Sequence, residues 1–243
     1  MNDQLIRKIT EQVLAELHQT SFQQHEQGYT AEEVQPTTVI NSGSIPIPIG
    51  VSARHIHLCR EDLDVLFGPG YQLTKIKELP QPGEFVAKEV VTLVGPRLRA
   101  LEGVRILGDL RPVTQIEVSR TDAYALGITP VVRKSGDIKN SPGITLIGPV
   151  GSIRLDEGVI VANRHIHMNP RDAQALGVSH NDEVDVRILS AKPTIFGRVQ
   201  IRVQENANLY MHIDLDDANS VGYDENSFVE IVNGEVSKCC WQG

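Results

Sequence analysis

The 243-residue sequence predicts a mainly β fold: two related β-barrel domains capped by short helices, preceded by an amphipathic helix on a flexible linker. Three observations predict it, namely many short strands, a histidine motif that occurs twice, and a short helical motif that recurs between strands. A parallel α/β sheet would need helices of about 10 to 15 residues between its strands. The sequence shows no such helices there, so we expect barrels instead.

The first 44 residues predict a helix and a linker. Residues 1–20 contain apolar residues at helical spacing, such as Leu5, Ile9 and Val13, with charged residues on the other face. Residues 21–44 are polar and aperiodic, which is typical of a flexible linker. Because the linker separates the helix from any core, we expect a docking tag. The alternative is an ordinary helix packed on the core of the protein.

From residue 45 onward the pattern is one of short strands separated by Gly and Pro. We expect two related halves at 45–149 and 150–238, and a tail at 239–243. The strands are predicted at residues 90–94, 104–107, 115–118, 158–161, 184–188, 198–203 and 210–213.

A short helical motif recurs between the strands. Residues 122–127 read Asp-Ala-Tyr-Ala-Leu-Gly, and residues 172–177 read Asp-Ala-Gln-Ala-Leu-Gly. A third copy covers 217–222, and a looser one covers 62–68. In each, the acid lies where the helix dipole favours it, and the glycine lies where a helix commonly ends. The order of the motifs predicts that the two halves share one plan.

The segment Arg-His-Ile-His occurs at residues 54–57 and again at 164–167. Residues i and i+2 of a strand point to the same face, so each copy aims two imidazoles in one direction. Four of the chain's eight histidines lie in these two segments. Imidazole is a frequent ligand of zinc, so the doubled segment predicts a device that holds metal.

The spacing to the helical motif predicts further ligands. In all four units, a side chain that can bind metal lies five residues before the first acid of the helical motif. In the two units without Arg-His-Ile-His, this side chain belongs to Glu117 or His212. The rule predicts six ligands for two metal ions, which are His55, His57, Glu117, His165, His167 and His212.

An arginine and a loop predict anion binding near these ligands. Arg111 lies six residues before Glu117, and its planar guanidinium suits phosphate. A surface ion pair is the alternative role. The loop at 134–143 offers backbone amides, two lysines and hydroxyls such as that of Ser135, which we expect to contact phosphate. It does not match a P-loop.

Composition excludes several classes of partner and site. The net charge is −8 without a long basic run, which argues against a nucleic-acid backbone as the main partner. No apolar run approaches the roughly 20 residues that span a bilayer, and the start lacks the apolar region of a secretory signal. With three cysteines there is no disulfide framework, so we expect a reducing compartment.

Two other functions remain open from the residues alone. A dinuclear zinc hydrolase would use its metals to activate water. However, one such class needs Asp-His after the pair, where this chain has Cys59 and Arg60, and another needs a full (β/α)₈ barrel. A non-catalytic binding module with structural metals is the second alternative. Structural zinc sites commonly include cysteines, and these ligands do not.

Taken together, these segments resemble the phosphate propanoyltransferase family, the phosphotransacylases of bacterial microcompartments. The resemblance runs from residue 45 to about residue 236. Three features carry it in order: the paired Arg-His-Ile-His segments, Leu-Arg-Pro-Val-Thr-Gln-Ile-Glu at 110–117, and a Ser-Gly-Asp to Ser-Pro-Gly loop at 135–143. It implies two barrels, two zinc ions, and the interconversion of acyl-CoA, expected to be propanoyl-CoA, plus phosphate with acyl phosphate plus CoA.

The resemblance also implies roles for individual residues. His55, His57 and Glu117 would bind one zinc, and His165, His167 and His212 the other. Arg111 would be the catalytic arginine that holds phosphate. The residues expected against CoA are Val51, Ser52, Ala53 and Asn219, although Ala53 stands where the family motif usually has Asn.

The same resemblance implies a location. Residues 1–20 are similar to the encapsulation helix of family members housed in microcompartments, and 21–44 to its linker. The implied partners are shell or core proteins, and the implied location is the compartment lumen, or otherwise the cytoplasm. We also expect a homo-oligomer. Spacing alone does not separate a preference for propanoyl from one for acetyl groups.

Overall fold

The computed structural model describes residues 45–232 of the chain. The predicted helix at 1–20, the linker at 21–44 and the tail at 239–243 lie outside these residues and stay predictions. Within the described part, no helix has both the length and the apolar character that crossing a membrane requires.

The described residues form short strands and four short helices. The strands are β1 (Ile47–Ser52), β2 (His55–His57), β3 (Lys75–Glu78), β4 (Phe85–Val94), β5 (Ala100–Gly108), β6 (Gln115–Glu117), β7 (Val132–Arg133), β8 (Ile144–Ile147), β9 (Ser152–Leu155), β10 (Val159–Ala162), β11 (His165–Met168), β12 (Glu183–Leu189), β13 (Thr194–Val203), β14 (Tyr210–Asp214) and β15 (Phe228–Ile231). The helices are α1 (Arg60–Phe67), α2 (Arg120–Leu126), α3 (Pro170–Leu176) and α4 (Leu215–Val221).

These strands build two β bodies. One is a closed barrel in the order β1-β14-β11-β13-β12-β15. The other is a nine-stranded sheet in the order β7-β10-β6-β2-β5-β4-β8-β9, with β3 paired to β4. The mainly β fold with two related bodies and short helices is confirmed. The two bodies differ in that only the first closes on itself.

Each half of the chain gives one strand to the other body. Strand β1 pairs in parallel with β14 of the barrel, and β10 pairs in parallel with β6 of the nine-stranded sheet. The chain then crosses into the opposite body and enters β2 or β11. Both Arg-His-Ile-His segments therefore lie at the boundary between the two bodies. As a description of domains, the division into 45–149 and 150–238 stays a prediction.

The isoleucine between each pair of histidines anchors its strand in a core. Ile56 and Ile166 are both fully buried. Ile56 packs in the core of the nine-stranded sheet, and Ile166 packs in the core of the barrel. Because successive side chains alternate across a strand, burying each isoleucine turns its flanking histidines to the opposite face.

The helices begin and end as the recurring motif predicts. At the start of α2, Ser119 and Asp122 form a capping box in which each side chain accepts the other's backbone N–H. Helices α2, α3 and α4 end at Gly127, Gly177 and Gly222, with φ of 74°, 69° and 59°. This left-handed conformation favours glycine, which explains the glycine that closes these three copies of the motif.

Candidate metal centre

The six side chains predicted from the spacing rule come together in two clusters. Within each cluster the candidate ligand atoms all lie within 4.8 Å of one another. The first cluster comprises His55, His57 and Glu117, and the second comprises His165, His167 and His212.

Strand register explains why the clusters form. Strand β2 runs antiparallel to β6 and places His55 opposite Glu117. Strand β11 runs antiparallel to β14 and places His165 opposite His212. The offset read from the sequence therefore corresponds to the same cross-strand position in both bodies. Side chains that face each other in this way approach closely enough to share a ligand.

Both clusters line one cavity of about 800 Å³. Residues from both bodies contribute to its wall, including Arg111 of the nine-stranded sheet's half and Tyr210 of the barrel. A volume of this size accommodates a cofactor-sized ligand. The two clusters can therefore act on the same bound molecule.

Hydrogen bonds orient one imidazole in each cluster in the same way. The Nδ1 of His55 donates to the carbonyl of Ala53, and the Nδ1 of His165 donates to the carbonyl of Asn163, both at 2.8 Å. A carbonyl can only accept, so each Nδ1 carries the proton. The lone pair of each Nε2 is then left for a metal, which is the usual arrangement in metal sites.

Burial favours the neutral form of His57, His167 and His212. It lowers the pKa of His57 to about 2, with the positive fields of His55 and Arg111 adding to the effect. It also lowers the pKa of His167 and of His212 to about 4. Neutral imidazoles and a carboxylate form a donor set that zinc accepts, so the residues fit the metal that the resemblance implies.

The carboxylate of Glu117 is held by a network of polar side chains. The hydroxyl of Ser135 and the amide of Gln115 both donate to Glu117 Oε1, each at 2.7 Å. The second oxygen, Oε2, lies 3.6 Å from Nε2 of His55. One oxygen is thus fixed by the protein, and the other is turned toward the histidines of its cluster.

Arg111 lies in the cavity wall and joins this network. Its Nη1 donates to the hydroxyl of Ser135 at 3.0 Å, and its Nη2 lies 3.7 Å from Oε1 of Glu84. Burial raises the pKa of Glu84, and the charge of Arg111 partly opposes that rise. Both terminal nitrogens of Arg111 therefore have a protein neighbour, and these contacts hold the guanidinium in the cavity wall.

The residues expected against CoA divide into two groups. Val51, Ser52 and Ala53 line the cavity. Asn219 is exposed on α4 and is not part of the cavity wall. The structure therefore brings the first three to the metal clusters but leaves the fourth outside.

The arginine of each Arg-His-Ile-His segment has a partner that the sequence analysis missed. Arg54 pairs with Asp122 at 3.2 Å, and Arg164 pairs with Asp217 at 2.9 Å. The sequence pattern relates these two acids only to the helix dipole. The arginine and the helix acid each recur in the sequence, but their separations differ (68 residues for Arg54 and Asp122, 53 for Arg164 and Asp217), so only the fold shows that they meet.

Two further cavity residues carried weaker signals. Gln115 precedes Glu117 by two residues, so the strand periodicity placed both on one face. Arg202 lies on β13 and lines the cavity, yet no motif surrounds it. Its position follows from the pairing of β13 with β11, which the sequence alone does not reveal.

Comparison with known proteins agrees with this geometry. A family model described as phosphate propanoyltransferase matches residues 48–224. A Thermotoga maritima protein named phosphate propanoyltransferase is 52% identical over 76% of this chain and 89% of its own length. A Citrobacter freundii protein of the same name is 52% identical over 74% of this chain and 85% of its own length. A Listeria monocytogenes protein of that name is 44% identical over 85% of this chain and 95% of its own length.

The matched region contains both metal-type clusters, Arg111 and the loop that carries Ser135. It also includes every described helix and all strands except the last and the start of the first. The chain belongs to the phosphate propanoyltransferase family and is an acyltransferase enzyme.

Proposed function

We propose that this phosphotransacylase interconverts an acyl-CoA thioester, expected to be propanoyl-CoA, plus phosphate with acyl phosphate plus CoA at a dinuclear zinc site. One observation carries the proposal: two clusters of metal-type ligands and an arginine line the same cavity. The names of the relatives support a phosphate and acyl substrate pair.

The assignment of metal ligands follows the two clusters. His55, His57 and Glu117 would hold one zinc, and His165, His167 and His212 the other. When bound, the ions would supply Lewis-acid charge that favours negative charge developing on a carbonyl oxygen or a leaving thiolate. The protein contributes the fixed imidazoles and the carboxylate that Ser135 and Gln115 hold in place.

Arg111 would bind and orient phosphate. Phosphate reacts poorly in water because its charge is strongly solvated, so a site must replace that solvation. A guanidinium can do so with paired hydrogen bonds. The bond of Arg111 to Ser135 restricts its movement, and a restricted group loses less entropy when it binds an anion.

Direct attack by phosphate is proposed over a covalent acyl-enzyme because two candidate nucleophiles, Ser52 and Cys59, lack activation. The hydroxyl of Ser52 lies 3.4 Å from Nδ1 of His55, but that nitrogen already donates to a carbonyl and cannot serve as a base. Cys59 is outside the cavity wall, and burial raises the pKa of its thiol. Neither the hydroxyl of Ser52 nor the thiol of Cys59 is therefore an activated nucleophile.

The proposal is tested by following CoA release from propanoyl-CoA on zinc-loaded protein, with and without phosphate. We expect release only when phosphate is present, together with one equivalent of acyl phosphate. Equal release without phosphate would establish a hydrolase instead. Absence of release in either condition would favour the non-catalytic binding module.

We further propose that residues 1–20 direct the enzyme to a bacterial microcompartment through shell or core proteins. The amphipathic pattern of these residues, followed by the polar segment 21–44, supports this. Deleting residues 1–20 is expected to leave turnover unchanged and to abolish co-purification with compartment shells. Loss of turnover would mean that the segment belongs to the catalytic fold.

A further inference from the structure

The cavity contains a second arginine that none of the roles above uses. Arg202 lies on β13, and the parallel pairing with β11 places it beside His167. It lines the same cavity as both clusters and Arg111. Arg111 comes from the half that builds most of the nine-stranded sheet, and Arg202 comes from the barrel. The cavity therefore receives one arginine from each side.

Arg202 lacks the partners that the other cavity arginines have. Within residues 45–232 its guanidinium makes no ion pair, and its buried Nη2 has no hydrogen-bond partner. By contrast, Arg54 pairs with Asp122, and Arg111 lies near Glu84. Burial lowers the pKa of Arg202, but an arginine stays charged. Glu117 and Glu84 act on Arg202 electrostatically but form no ion pair with it, so its buried Nη2 remains a donor for an anion in the cavity.

The second cluster, which lies beside Arg202, makes an anion at this position more favourable. The first cluster includes the carboxylate of Glu117, whereas the second consists of three imidazoles. The charge of Arg202 already adds to the effect of burial in lowering the pKa of His165 and His167. A divalent ion on three neutral histidines would add further positive charge beside Arg202. The barrel side of the cavity would then have a clear excess of positive charge.

We propose that Arg202 binds the phosphate substrate, and the phosphoryl end of acyl phosphate, together with Arg111. This assignment rests on the proposed phosphotransacylase function and identifies how its anion is held. The two guanidiniums, one from each body, would provide donors on two sides of one oxyanion. Such a pair fixes the orientation of the attacking oxygen better than either arginine alone.

The phosphates of CoA are a second source of the same chemistry. They are separated from the CoA sulfur by the long pantetheine arm, while Arg202 lies beside histidines that would surround the reacting atoms. The position therefore favours inorganic phosphate. The two sources predict different kinetic effects, since one changes the KM for phosphate and the other the KM for acyl-CoA.

The test compares Arg202→Gln and Arg202→Lys with Arg198→Gln in the full-length, zinc-loaded protein. Arg198 lies on the same strand, is largely exposed, and pairs with Glu183 outside the cavity. We expect Arg202→Gln to raise the KM for phosphate roughly 10- to 100-fold, with the KM for propanoyl-CoA changed by less than about 2-fold. Arg202→Lys should give a smaller rise, and Arg198→Gln should match the wild type.

A second measurement does not depend on turnover. Calorimetric titration with inorganic phosphate, without acyl-CoA, should show the same weakening for Arg202→Gln, while metal analysis should still find two zinc ions per chain. If Arg202→Gln does not fold, the phosphate affinity of Arg202→Lys, measured by the same titration, tests the assignment. Unchanged phosphate affinity, a selective rise in the KM for propanoyl-CoA, or loss of zinc would each overturn the assignment. A wild type that binds phosphate but forms no acyl phosphate would instead overturn the proposed function.

Discussion

The two metal-type clusters have the same backbone plan and different charge. In each, a His-x-His strand pairs antiparallel with a strand that supplies the third side chain, and an Nδ1 donates to a backbone carbonyl two residues earlier. The third side chain is a carboxylate in the first cluster and an imidazole in the second. One plan thus gives two sites of unequal charge, which suits the proposed reaction between an anion and a thioester.

The surroundings of the clusters extend this difference. The first cluster is braced by Ser135 and Gln115, which fix Glu117. The second has Arg202 beside it, and apart from the bond of His165 to a backbone carbonyl it is held by an exposed contact from His167 to Gln204 at 3.3 Å. We infer that the first cluster is the more rigid one and that the second is the more positive one. Four predictions examine this contrast.

The largest expected effect is the loss of either cluster. His55→Ala and His165→Ala should each reduce phosphate-dependent CoA release to background while the protein stays folded, because the proposed function needs both metals. Metal analysis should find one zinc fewer in each variant. The control is His180→Ala, which changes an exposed histidine outside the cavity wall. If one of the two variants kept full activity, its cluster would have no part in catalysis.

The side chains that hold the ligands, Ser135 in the first cluster and Gln204 in the second, should contribute unequally to metal affinity. Ser135→Ala removes a hydroxyl that joins Glu117 to Arg111, and losing such a partner typically lowers metal affinity or activity about 10- to 100-fold. Gln204→Ala removes the longer, exposed contact to His167 and should cost less than about 10-fold. Competition with a zinc chelator measures both. Equal losses in the two variants would contradict the inferred difference in rigidity.

The free energy of unfolding of the metal-free protein should decrease as the pH is lowered, and the two clusters should contribute over different pH ranges. Histidines have an ordinary pKa of 6.5, whereas burial lowers that of His57 to about 2 and those of His167 and His212 to about 4. Below 6.5 the unfolded chain therefore binds protons that the folded chain does not. The free energy of unfolding must then decrease as the pH falls.

Urea unfolding of the metal-free protein between about pH 7.5 and about pH 5.5 measures this loss in a range where ordinary carboxylates stay ionised. His57→Gln and His167→Gln should each make the pH dependence shallower, since each removes one proton-binding site from the unfolded chain. Below about pH 4, His57 should still resist protonation, whereas His167 and His212 should take up protons. A free energy of unfolding that does not change across the range would show that these histidines are not buried in solution.

Much of this site could be predicted from the sequence because it depends on local periodicity. The two-residue spacing of His55 and His57 and the fixed offset to Glu117 both follow from strand geometry, which is regular. The mainly β fold and the positions of the helices followed from the same periodicity and from glycines such as Gly127. These features need no knowledge of which strands pair.

What could not be predicted depends on strand pairing over long distances. The exchange of β1 and β10 between the bodies, and the open form of one sheet, are set by which edges meet. Arg202 reaches the cavity only because β13 lies next to β11. No local pattern encodes that neighbour. The same reasoning explains Asn219, which follows the motif but lies on an exposed helix surface outside the cavity wall.

The smallest expected effect concerns the arginine that begins each histidine segment. Arg164 makes two bonds of 2.9 Å to Asp217, and its guanidinium lies 4.2 Å from the centre of the Phe196 ring. Arg54 makes a single contact of 3.2 Å to Asp122. Bidentate, stacked arginines stabilise more than single contacts do, although partial exposure weakens both.

We therefore expect Arg164→Gln to lower the free energy of unfolding by about 1–2 kcal/mol and Arg54→Gln by about 0.5–1 kcal/mol. Urea unfolding measures both, and Arg198→Gln, which removes a largely exposed pair, should change the free energy of unfolding least of the three. Each arginine ties a histidine strand to the helix that follows the third ligand of its cluster. If Arg54→Gln proved the more damaging of the two, the first cluster would owe its rigidity to this tie and not to the hydrogen bonds around Glu117.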